Sequence, residues 1–219
     1  FFDMKVPPKT VKKNALAIAL FFALLYFLPI SIPYKISFPL LTLAIAGIWV
    51  LPWQMTLAMT FSFLGDFMGA AGNFIGQMGF FALAHVFMIS WFATKMKKIN
   101  WQYFFGDAVV VLPVLITAYL LVVPHAPAGV IKIGVTCYAT IISIMLYTGL
   151  ITYHSTKKDK GMANSAWCIA IGAVLFVFSD YILAWNKFVS PIEYSKYLIM
   201  VPYYGAQFLL FLGASKYRK

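Results

Sequence analysis

Apolar runs of about 17 to 25 residues, each cut short by Pro, Gly, Asn or a cluster of lysines, follow one another along almost the whole chain. Helices of that length cross the hydrocarbon core of a bilayer, where a backbone must satisfy its own hydrogen bonds. Of 219 residues, 63% are hydrophobic and 11% charged. Soluble domains carry about a quarter charged residues, so the class is that of an integral membrane protein. The runs predict an all-α polytopic bundle of about eight transmembrane helices in a single domain, 1–219. The spans fall near 14–30, 36–51, 53–71, 74–94, 106–123, 129–153, 165–186 and 196–214. The second is short, and Leu51-Pro52-Trp53 leaves almost no loop before the third, so one long kinked or re-entrant element competes there.

The cations test this count independently. With both termini cytoplasmic, the inner segments hold Lys5, Lys9, Lys12, Lys13, Lys95, Lys97, Lys98, Lys157, Lys158, Lys160, Lys216, Arg218 and Lys219. The outer segments hold Lys35, Lys132, Lys187 and Lys196. Thirteen against four is a strong positive-inside bias. The +11 net charge therefore reports topology and an anionic inner leaflet, not nucleic acid. Lysine in place of arginine almost throughout points to a bacterial inner membrane. The longest inner connection, from His154 to Asn164, reads as a solvated loop, so any chemistry must occur among the helices. Cys137 and Cys168 fall inside spans as small apolar fillers.

Two aspartates interrupt this apolar sequence, Asp66 in SFLGDFMG and Asp180 in FVFSDYIL. A carboxylate at the centre of a membrane helix costs about 2.5 to 3.5 kcal/mol on insertion scales, so the pair is the leading candidate for function. Each lies five or six residues from the outer end of its span. At about 1.5 Å per residue, that puts both at one height. Ser62, Gly69 and Asn73 continue the face of Asp66, and Gln77, Phe81, Ala84 and His85 form a stripe on the fourth span. Tyr203 and Gln207 share a face of the eighth, and Thr136, Thr140, Ser143 and Tyr147 line one of the sixth. The bland readings are that the glycines from 65 to 79 serve helix packing and that the sixth-span hydroxyls bond their own helix. Asp107 reads as an interfacial, N-cap-like residue at the inner end of the fifth span.

Gly65-Asp66, Asn73-Phe74, Gly79-Phe80-Phe81, His85, Phe178-Ser179-Asp180 and Tyr203-Tyr204-Gly205-Ala206-Gln207, in this order, resemble the YhhN family of multi-pass membrane proteins, the lysoplasmalogenases. Ala84-His85 stands where Gly-His is common in the family. The resemblance implies an eight-span hydrolase that cleaves the vinyl-ether bond of a lysophospholipid drawn from the bilayer, with water as co-substrate. The products are a fatty aldehyde and a glycerophospho-amine.

The residues suit that chemistry. Vinyl ethers hydrolyse by slow proton transfer to carbon through an oxocarbenium ion, which needs one acid and one negative charge, as paired carboxyls provide in glycoside hydrolysis. Two carboxyls in a low-dielectric enclosure cannot both ionise cheaply, which splits the pair into donor and anion. Asp66 and Asp180 are the expected catalytic pair, with no basis in the sequence for saying which is the acid. Asn73, Gln77, His85, Tyr203, Tyr204 and Gln207 are expected to bind substrate and orient water, and Lys35, Lys187 or Lys196 to meet the lipid phosphate. No cofactor is called for. A zinc-dependent lipid amidase would need converging histidines, and His85, His125 and His154 lie at three depths. The rival class is a proton- or cation-coupled transporter using the same aspartates. Pro52, Pro113 and the glycines leave room for broken helices, whereas few charges and no clear inverted repeat speak against it.

Overall fold

The computed structural model describes residues 7–96 and 101–217. Lys5, Lys97, Lys98, Arg218 and Lys219 of the charge argument lie outside the described residues. Within them the chain is all helical, with α1 (Pro8–Phe27), α2 (Phe38–Val50), α3 (Trp53–Ala70), α4 (Phe74–Ala93), α5 (Trp101–Thr117), α6 (Val130–Thr156), α7 (Ala163–Phe188) and α8 (Ser195–Ala214). Six stretches are long and apolar enough to cross a membrane: α1, α4, Trp101–His125, α6, α7 and α8. Large apolar side chains such as Phe21, Leu24, Val109, Leu120, Val130 and Ile133 stand exposed on the outside of the bundle. In water such a surface would aggregate, whereas lipid covers it. The chain is a multi-pass membrane protein.

The second and third expected spans form separate helices. Pro52 lacks an N–H and pushes Leu51 out of the helical region, to φ −112° and ψ 156°, which breaks the chain between α2 and α3. Thr56 Oγ1 then donates to Gly47 O at 3.0 Å and staples the two together. Of the eight expected helices α2 is the short one. Its 13 residues reach about 20 Å, short of a hydrocarbon core of about 30 Å, and only the 3₁₀ turn at Lys35–Ser37 extends it. α3, with 18 residues and Asp66 among them, also falls outside the six long apolar stretches.

Helix ends that carry the lysines gather at one end of the bundle. Lys95, after α4, lies 5.2 Å from the Tyr217 ring after α8, and Thr152 of α6 donates to Phe92 O of α4 at 3.3 Å. Asp107 departs from its expected role. α5 begins at Trp101, earlier than its apolar run, so Asp107 sits inside the helix, buried, and receives a hydrogen bond from His154 Nε2 of α6 at 3.1 Å. At its far end α5 passes through a π-helical turn, Ala118–Val122, before the 3₁₀ turn Val123–His125. The hydroxyls of Thr136, Thr140 and Ser143 return to carbonyls of their own helix at 2.7, 3.1 and 2.8 Å, as their type predicts.

Candidate active site

Asp66 occupies the penultimate turn of α3, flanked on its own face by glycines. A Cβ on Gly65 would come within 2.9 Å of the Phe81 ring, and one on Gly69 within 2.7 Å of the Gln77 amide. Without those atoms α4 packs close, bringing Phe81 and Gln77 beside the carboxyl. α8 closes the other side. Tyr203 Oη donates to Asp66 Oδ2 at 2.9 Å, and the aspartate is 2% exposed.

Asp180 is set by α7 against α8, where Ser179 Oγ donates to Ile199 O at 2.9 Å. Its carboxylate accepts a short hydrogen bond from Tyr138 Oη of α6, and Tyr138 Oη in turn lies 3.0 Å from His85 Nε2 of α4. The tyrosine has one proton, and it goes to the carboxylate. His85 must therefore donate from Nε2, which leaves its buried Nδ1 as an unpartnered acceptor. The histidine is fully buried and stands 3.9 Å from Asp180 Oδ2, while the aspartate side chain is 15% exposed. Three helices thus meet in one chain, His85 to Tyr138 to Asp180.

Both aspartates line a single open cleft of about 710 Å³, together with Gln77, Phe81, Tyr203 and Lys196. Among the described residues the two carboxyls do not bond each other; each is held by its own tyrosine. A second cleft of about 480 Å³, with Gln77, Met78, Tyr138 and Lys187 on its walls, meets the first at Asp180. A third, about 470 Å³ and bounded by Val114, Ala118, Val122, Ile142 and Val177, reaches Asp180 from the side of the π-helical turn. Asp180 is therefore the junction of one polar and two apolar spaces.

The other expected site residues separate. Gln77 and Tyr203 line the shared cleft, whereas His85 lies off it and meets Tyr138. Asn73 does not reach the cleft, because its Oδ1 accepts from Gly76 N at 2.8 Å and caps α4. Tyr204 is not on the cleft wall either; its Oη donates to Ile36 O at 2.8 Å, and Ile36 lines the cleft. Gln207 is fully buried one turn from Tyr203 and does not line the cleft. Tyr138 was not among the expected residues. The signal for it was its place in the apolar face Val135, Tyr138, Ala139 and Ile142, where it carries the one polar atom.

Residues 27–214 match the model of the YhhN family. Lysoplasmalogenase TMEM86B of Sus scrofa is 32% identical over 111 residues, which cover 51% of this chain and 43% of that protein. TMEM86B of Mus musculus is 29% identical over 165 residues, 74% of this chain and 63% of the relative. Lysoplasmalogenase TMEM86A of Bos taurus is 29% identical over 174 residues, 76% of this chain and 67% of the relative. The chain thus covers less than two thirds of the porcine and murine proteins. No solved structure matches it.

Proposed function

We propose that this chain, which belongs to the YhhN family, is a membrane hydrolase that cleaves the vinyl-ether bond of lysoplasmalogens to a fatty aldehyde and a glycerophospho-amine. The observation that carries the reading is the shared cleft, with two carboxyls from different helices on its walls and a tyrosine hydroxyl behind each. The relatives named lysoplasmalogenase support the choice of substrate.

The two environments divide the work. Asp66 is enclosed and receives its hydrogen bond on Oδ2 from a neutral hydroxyl, so Oδ1 is free to carry a proton toward the cleft. Asp180, more exposed and facing the His85–Tyr138 donor chain, is the anion. Asp66 gives its proton to the β-carbon of the alkenyl chain. The oxocarbenium ion that forms is steadied by the charge on Asp180. Water adds to the ether carbon as Asp180 takes its proton, giving a hemiacetal. That proton passes from Asp180 to the glycerol oxygen as the carbon–oxygen bond breaks, and the hemiacetal hydroxyl returns its own to Asp66. Aldehyde and alcohol leave, and both carboxyls are restored. The lysine-rich end of the bundle is proposed to face the cytoplasm of a bacterium, which puts the cleft in the outer half of the inner membrane.

Purified protein incubated with matched alkenyl and ester lysolipids is expected to release fatty aldehyde from the alkenyl lipid alone. Equal turnover of the ester, or aldehyde from neither, overturns the reading. Gln77 supplies a finer check. A methyl group on Gly69 would strike the far end of that flexible side chain and displace it from the cleft while leaving the backbone in place. Gly69→Ala is expected to lower kcat/KM by about 2- to 10-fold, the worth of a neutral hydrogen bond, with an unchanged Tm. A matching fall in Tm would show that the glycine serves packing alone.

A further inference from the structure

At its mouth the shared cleft meets a group of rings with a lysine lying over them. Tyr26 and Lys196 line the cleft along with Asp66 and Asp180. Lys196 Nζ lies 4.8 Å from the centroid of the Tyr26 ring, 5.8 Å from Phe27 and 5.9 Å from Tyr197. The rings brace one another. Tyr26 and Phe27 meet nearly edge-on at 5.2 Å, Phe27 and Tyr197 stack at 5.3 Å, and Tyr204 supports Tyr26 from behind at 6.0 Å. Among the described residues no carboxylate pairs with Lys196. The other two lysines expected near a phosphate are placed differently. Lys35 Nζ lies 6.0 Å from the Tyr26 centroid, at the edge of the same group, but is tied down by donating to Leu28 O and Ile30 O at 2.8 and 2.6 Å. Lys187 sits 4.4 Å over Phe74, in the neighbouring cleft that Asp66 does not line.

Several aromatic faces around one cation are the arrangement that recognises ammonium groups, because the negative faces of the rings attract a charge that they do not need to hydrogen-bond. An ammonium without a counter-ion is, in turn, ready to meet an anion. We propose that Tyr26, Phe27, Tyr197 and Lys196 form a head-group subsite for a zwitterion, the rings taking the amine and Lys196 the phosphate. The proposal rests on the reading of the cleft as a lysoplasmalogen site and adds to it the chemistry of the head group. The lipid amine competes with Lys196 for the ring faces of Tyr26, Phe27 and Tyr197, so its entry drives Lys196 off them. Its flexible four-carbon stem carries it to the phosphate. A lipid bearing phosphate without an amine leaves Lys196 over the rings and gains less.

The test is equilibrium binding to purified protein in nanodiscs, using saturated 1-O-alkyl lysolipids that cannot be cleaved: one with phosphocholine, one with phosphate alone and one with the bare glycerol. Tyr26→Leu and Tyr197→Leu are expected to weaken the phosphocholine lipid by about 2- to 30-fold and the other two by less than about twofold, while Tyr26→Phe binds as wild type. Two ring positions are tested because Tyr26 also packs on Tyr204; Tyr197 is half-exposed and tolerates change. Lys196→Met is expected to weaken the phosphocholine lipid by about tenfold, to weaken the phosphate lipid by less, and to spare the glycerol lipid. Equal losses for all three lipids, or none, overturn the proposal. So does binding of inorganic phosphate that needs Lys196 yet is not displaced by the phospholipids, since that would mark a free-anion site. Because no turnover is required, this pattern holds or fails independently of aldehyde release.

Discussion

Asp66→Asn and Asp180→Asn are each expected to lower aldehyde release by about 10²- to 10⁴-fold, the range over which a positioned acid or base acts. Both substitutions keep the shape and the accepting oxygen, so Tyr203 and Tyr138 retain partners and the bundle should keep its Tm. The losses arise differently. Asparagine at 66 has no proton to give to carbon, whereas asparagine at 180 has no charge to set against the oxocarbenium ion and no basic oxygen for the proton of the attacking water. The double variant should therefore be little worse than either single one, because residues acting in one step are strongly non-additive. Asp107→Asn is the control. Asp107 is also a buried carboxyl within an apolar helix, but it is bonded to His154 near the lysine-rich end and lies off the cleft. If Asp107→Asn lost as much activity as the pair, the effect would be one of buried charge in general. An Asp66 or Asp180 variant retaining more than about a tenth of wild-type rate would remove that residue from the mechanism.

How far the sequence revealed this site depends on the kind of signal each residue gives. A carboxylate in an apolar run is conspicuous whatever surrounds it, which is why Asp66 and Asp180 stood out and why equal depth followed from counting residues. Gln77, Phe81 and His85 followed from helical spacing, since a stripe at that period must face one neighbour. Asn73 misled because an amide just beyond a helix reads equally as a mouth residue and as the cap of the next helix, and the free amides of α4 claimed it. Tyr203 and Tyr204 are adjacent on α8 and their hydroxyls take different partners, Asp66 and Ile36 O, so a run of two tyrosines could not be parsed without coordinates. The second span, expected at 36–51 and already short, is α-helical over Phe38–Val50, where Pro39 sits in the first turn and Pro52 follows the end. Lys196 lay in plain view as one cation among three, and its place on the shared cleft, over three rings, distinguishes it. Tyr138 was hidden by abundance, being one of 13 tyrosines in the chain.

Tyr138→Phe tests what that hidden residue contributes. The ring remains, so packing against His85, whose centroid lies 5.5 Å away, is preserved and the fold should hold. What is lost is the proton donated to Asp180 and the acceptor that receives His85 Nε2. A hydrogen bond to a charged group contributes about 1.5 to 3 kcal/mol, which converts to a fall in kcat of about 10- to 150-fold. KM should change little, because the hydroxyl is spent on the carboxylate and lies behind it as seen from the shared cleft. The distinguishing measurement is a double-mutant cycle with His85→Ala. If histidine acts through tyrosine, removing it in the Tyr138→Phe background should cost almost nothing, although alone it weakens the chain of donors that orients Asp180. Additive losses would mean that His85 acts on substrate directly. A Tyr138→Phe enzyme with wild-type kcat would leave the hydroxyl as a strut between α6 and α7, with the anionic role of Asp180 resting on the histidine at 3.9 Å alone.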